Sequence, residues 1–173
     1  RDRLRKHRRH SATRQLGFTV ALEHLTALFA RELLSQPRWL QPAKPFVRTL
    51  WRWHALEEID HKSVAFDVLS RQMEAWAAPR RYAFLIAMQV EATAELAILV
   101  TRNMRDLYKQ DGISTPKIWA RTFFYLLDRK GLLTALAGSY GEWFRAGFHP
   151  SDHDDAALVE EVAFELNGYR ADI

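Results

Sequence analysis

Apolar residues recur at helical spacing along most of the chain. Leu16, Val20, Leu22, Leu25, Leu28, Phe29 and Leu33 follow Ser11, a residue type that caps helices, and predict a first helix ending near Gln36. The stretch SQPRWLQPAKP carries three prolines and predicts a connection. Residues 46–76 contain neither proline nor glycine and read as one long second helix, stopped by Pro79. A third helix is expected over 80–109, closed by Asp111 and Gly112. Shorter helices are expected over 116–127 and 132–144 on either side of Gly131, and a last one over 156–166. Sustained alternation of the kind a sheet requires is missing, so the pattern predicts an all-α helical bundle of long antiparallel helices followed by shorter C-terminal ones.

A chain of 173 residues is long enough for one domain that buries roughly 70% of its unfolded surface. Residues 1–14 read as a basic arm or linker and 15–173 as a single helical domain. The arm holds seven of the 25 basic residues and one of the 21 acidic ones, so it carries +6 of a net +4 and leaves the rest at −2. No groove-reading motif or interleaved aromatic accompanies it, which argues against nucleic acid as a partner. The chain has no cysteine, which excludes disulfides and thiolate metal sites and fits a reducing cytoplasm as the expected location. Any metal would bind through nitrogen and oxygen. The most apolar window, 82–100, is about long enough to span a bilayer. Glu91 and Glu95 near its centre would each cost roughly 2.5 to 3.5 kcal/mol in lipid, so it reads as a buried bundle helix and no transmembrane segment is expected.

Candidate chemistry concentrates in the second helix. The segment WRWHALEEIDHKSVAFDV places His54, Glu57, Glu58 and His61 at offsets of zero, three, four and seven, one stripe along one face. Glu58 and His61 form a Glu-x-x-His motif, whose carboxylate and imidazole on adjacent turns can reach one ion; apolar Val64, Ala65 and Val68 continue the stripe. Glu23 stands in the otherwise uncharged run TVALEHLTALF, where it serves either as a metal ligand or as the partner of Arg14 or Arg31. Glu91 and Glu95 share a face with Phe84, Met88 and Ile98, as additional ligands or as partners of Arg102, Lys62 or Arg48. The loop GFHPSDHDD, with His149, Asp152, His153, Asp154 and Asp155, reads as a polar turn with helix-capping residues rather than an ion site. Gly-rich phosphate loops, a Gly-x-Ser-x-Gly elbow and a His-Glu-x-x-His motif are all missing.

The segments ALEHLTA, WHALEEIDHKSVAFDVL and WFRAGFHPSDHDD, in that order, resemble the bacterial family of predicted metal-dependent hydrolases, and the resemblance covers essentially the whole chain. It implies a ferritin-like bundle and a divalent metal, iron, manganese or zinc. Ala146 and Ser151 stand where the family pattern has a proline and a tryptophan. The resemblance further implies a first half of the ligand set, a single glutamate and a Gln-Glu-x-x-His motif, upstream of the position of Arg1. Glu23, Glu58 and His61 would then be the second half. The first half would be lost or left out of this chain, or a homodimer would assemble two halves.

The functional expectation is a metal-dependent enzyme acting on a small, apolar substrate of unknown identity. Glu23, Glu58, His61 and Glu91 are the candidate metal ligands, and Glu57 and His54 the candidate catalytic bases. The same donors suit a di-iron oxygenase or oxidase. From a different class, a non-enzymatic helical module would bind its partner or a membrane surface through the basic arm and the six tryptophans.

Overall fold

The computed structural model describes residues 11–171, with side chains described as far as Leu166, and the basic arm up to His10 lies outside them. Helix α1 spans Ala12–Ser35, and the Ser11 hydroxyl caps it by accepting from the Arg14 backbone N–H at 3.3 Å. A 3-10 turn, Pro37–Trp39, lies in the proline-rich connection. Then follow α2 (Pro45–His61), α3 (Val64–Gln72), α4 (Ala78–Gln110), α5 (Pro116–Leu127), α6 (Leu132–Glu142) and α7 (Ala156–Ala171). No strand occurs among the described residues, and the fold is an all-α bundle. Proline falls in the first turn of α2, α4 and α5, where its missing N–H has no intrahelical partner to lose.

Helix α1 is the element on which α2, α3, α4 and α6 pack, while α5 packs on α6. Its buried residues, from Gly17 through Leu34, include Gly17, Ala21, Ala27 and Ala30, small enough to admit neighbouring backbones on several sides. Val20 packs with Phe66, Leu69 and Met73 from α3 and its C-terminal turn, and with Trp143 and Phe148 from the chain after α6. Ala30 and Leu34 meet Ala55 and Ile59 of α2 and Val162 of α7. Ala21 and Leu25 meet Met88 and Ala92 of α4. Gly17 allows the closest approach: a Cβ there would lie 2.7 Å from the Phe84 ring and 2.9 Å from the Met88 side chain.

Two sequence expectations are corrected. The single helix over 46–76 is two, interrupted at Lys62 and Ser63. Helix α4 is not a buried bundle helix: only Met88, Gln89 and Ala92 are buried, and 17% of its most apolar window is enclosed. Among the described residues it alone is long and apolar enough to cross a membrane, by length and composition. Its distal half and the whole of α5 carry exposed apolar side chains, among them Ile98, Leu107, Phe123 and Phe124.

His24, 2% exposed, faces the Trp143 and Phe148 rings at centroid distances of 4.6 and 5.5 Å. Burial, reinforced by His153 nearby, pushes its imidazole down from 6.5 to about 3. The folded state therefore refuses a proton that the unfolded chain accepts. The stability associated with neutral His24 is fully present above pH 6.5 and is lost progressively as pH falls from there toward 3.

Two outcomes follow from this packing. Gly17→Leu lowers stability by about 1–3 kcal/mol through overpacking against Phe84 and Met88, read as a lower urea midpoint at unchanged slope. His24→Leu flattens the acid limb of stability: between pH 6.5 and 4.5, wild type loses up to about 1.4 kcal/mol per pH unit more than the variant in urea titrations. Parallel acid limbs in the two proteins contradict the second expectation.

Candidate metal centre

The stripe forms on α2 as its spacing requires. His54 and His61 are exposed, Glu57 and Glu58 half-buried. His54 Nε2 lies 3.5 Å from Glu58 Oε1, one turn along the helix, an ion pair when the imidazole is protonated. Glu57 has no hydrogen bond or ion pair among the described residues. Exposed Leu50 precedes the stripe, and exposed Val64 and Val68 continue it onto α3, so this face of the bundle is open.

Glu23 comes to the same place from α1. Its Oε2 is buried and has no hydrogen-bond partner. Burial raises its pKa above the usual carboxylate value; His61 nearby opposes the rise, Glu58 adds to it, and the Ala65 N–H opposes it. The two cations that the sequence offered as its partners are taken elsewhere. The Arg14 guanidinium lies 2.5 Å from Glu91 Oε2, and Arg31 lies 3.0 Å from Asp155 Oδ1 and 2.7 Å from His153 Nδ1.

Helices α2 and α3 are interrupted at Lys62 and Ser63, directly after the Glu-x-x-His motif. Lys62 anchors this interruption: its ammonium donates to Asp155 Oδ2 and to the His153 carbonyl, both at 2.7 Å, tying it to the loop before α7.

Glu58 and His61 thus act electrostatically on Glu23, and His54 lies on Glu58. Glu91, on α4, is held by Arg14 of α1 and is not among the charges acting on Glu23. Among the described residues no three histidine or acidic side chains converge closely enough to hold one ion. The donors are of the right kind, oxygen and nitrogen with one buried oxygen unpaired, and they fit part of a coordination shell rather than a closed one.

The C-terminal loop is a capped turn. The His149 ring accepts from the Ser151 N–H at 3.1 Å, Asp152 accepts from the His149 N–H at 3.2 Å, and Asp154 accepts from the Ala156 N–H at 3.1 Å. His149 Nε2 also sits 3.0 Å from Asp67 Oδ1. Sequence reasoning missed the buried Asp155 with its two cations, because nothing in a run of polar loop residues marks which one turns inward.

A protein-family model described as predicted metal-dependent hydrolase matches residues 1–154. None of the curated proteins and none of the solved structures searched matches the chain. With the match extending over most of its length, the chain belongs to the family of predicted metal-dependent hydrolases.

Proposed function

We propose that the protein is a metal-dependent hydrolase of the ferritin-like carboxylate and histidine type, with Glu23, Glu58 and His61 as the donors that one copy of the chain offers toward its divalent ion. The observation that carries this reading is the buried, unpartnered oxygen of Glu23 beside the charges of Glu58 and His61. Leaving a carboxylate oxygen without a partner in a buried place is costly, and a cation is the counterpart that would relieve it. Iron, manganese and zinc all suit this donor set; in a hydrolase such an ion supplies acidified water and polarisation of the bond to be cleaved.

The residues of the chain then divide the remaining work. Glu57, half-buried and without a partner among the described residues, is the general-base candidate. His54 orients Glu58 through their contact one helical turn apart and is the alternative base. Glu91, ion-paired with Arg14, would be a further ligand only on leaving that pair. Leu50, Val64 and Val68 beside the stripe favour a small apolar substrate.

The open face calls for a second set of donors. Di-metal carboxylate bundles combine two single glutamates with two Glu-x-x-His motifs, and one copy of this chain brings one of each. A two-fold homodimer that apposes the stripes completes the count. The same assembly would suit oxygen chemistry at paired irons, an alternative that the metal found would favour. A non-enzymatic binding module is favoured by one separate observation, the exposed apolar surface of α4 and α5.

Metal content decides among these. Plasma mass spectrometry on protein purified without an affinity tag should find iron, manganese or zinc, and Glu58→Ala should lower it at least tenfold while far-ultraviolet circular dichroism stays unchanged. Full metal content in folded Glu58→Ala would remove the stripe from the site.

A further inference from the structure

A separate feature lies on the other side of α3. Val64 and Val68 continue the metal stripe, whereas Phe66, Ser70 and Met73 project about 180° around the helix from them. There they form one wall of a cleft of about 340 Å³, closed by Leu85 of α4 and by Trp143 and Phe148. Phe66, Met73, Trp143 and Phe148 are buried members of one core cluster, so the floor is part of the packed interior rather than a loose surface. The volume lies at the lower end of the range for small-molecule sites.

The charges at this cleft are unevenly satisfied. Arg80, next to it, stacks on the Trp76 ring at 4.2 Å. Arg145, in the lining, donates to Asp152 Oδ2 at 2.5 Å. Arg81, half-buried in the lining, has no carboxylate partner among the described residues. The wall also holds the Trp143 indole N–H, buried without a hydrogen-bond partner. An apolar trough with one uncompensated guanidinium is complementary to a chain that carries one negative charge. The planar fork of a guanidinium matches a carboxylate in two parallel hydrogen bonds.

We propose that this cleft binds a single-chain apolar carboxylate of the fatty-acid class, its hydrocarbon against Phe66, Met73, Leu85, Trp143 and Phe148 and its carboxylate on Arg81. The site is independent of the metal stripe and does not rest on the hydrolase reading. Tyr82, whose hydroxyl donates to the Phe144 carbonyl at 2.7 Å, ties the chain after α6 to α4 and holds the two sides of the cleft together.

Isothermal titration calorimetry with decanoate below its micelle concentration tests the assignment on the whole chain. Wild type should bind one equivalent saturably. Arg81→Gln should weaken binding about tenfold, the loss of one charge-assisted contact. Decyltrimethylammonium, of equal chain length and opposite charge, should bind wild type at least tenfold more weakly than decanoate. Ser70→Phe, which fills the trough, should abolish binding, and Glu58→Ala should leave it unchanged. Equal binding of the two amphiphiles, or undiminished binding in Arg81→Gln, would overturn the proposal. So would undiminished binding in Ser70→Phe, which would place the ligand on the exposed apolar surface of α4 and α5. Arg81 is partly exposed, so Arg81→Gln decides even where Ser70→Phe fails to fold.

Discussion

The carboxylate of Glu23, on the central helix, lies beside His61 and Glu58 with one oxygen buried and without a hydrogen-bond partner. Burial raises its pKa, His61 opposes the rise and Glu58 adds to it, so the chemistry of the candidate site depends on how that carboxylate is satisfied. It stands on α1, against which α2, α3 and α4 pack, and lies by the end of the Glu-x-x-His motif, where the chain is interrupted before α3.

The adjacent residue does the opposite work. Glu23 lies beside Glu58 and His61, while His24 turns into a cage of Trp143 and Phe148, where burial holds it neutral. Beyond that cage His153, lowered chiefly by burial and then by Arg31, borders the Arg31, Lys62 and Asp155 cluster that braces the interruption between α2 and α3. A polar network buried this far is strong only when every member is paired, and Asp155 meets that condition with two cations. The interruption between α2 and α3 is therefore tied through Lys62 to the loop before α7.

The helices were legible because their apolar periodicity and punctuation agree: Ser11, Pro45, Pro79, Thr115 and Gly131 all stand at helix starts. The break at Lys62 and Ser63 was not, since it contains neither glycine nor proline. The exposure of α4 was hidden because an apolar helix reads the same whether protein or nothing covers it. The stripe on α2 could be read from its spacing alone. The approach of Glu23 to it rested on burial and could not be told from an ion pair with Arg14 or Arg31. The cleft on α3 left no trace, because its lining comes from separated segments whose apolar residues look like ordinary core.

We propose that one copy of this chain offers part of a metal site on an open face and that a second copy completes it. Sedimentation velocity of metal-stripped protein, repeated after addition of manganese or zinc with the bound ion counted across the boundary, addresses this most directly. The account predicts that metal uptake and dimer formation rise together and that Glu58→Ala prevents both. A monomer that binds its full complement of ion without changing mass would contradict it.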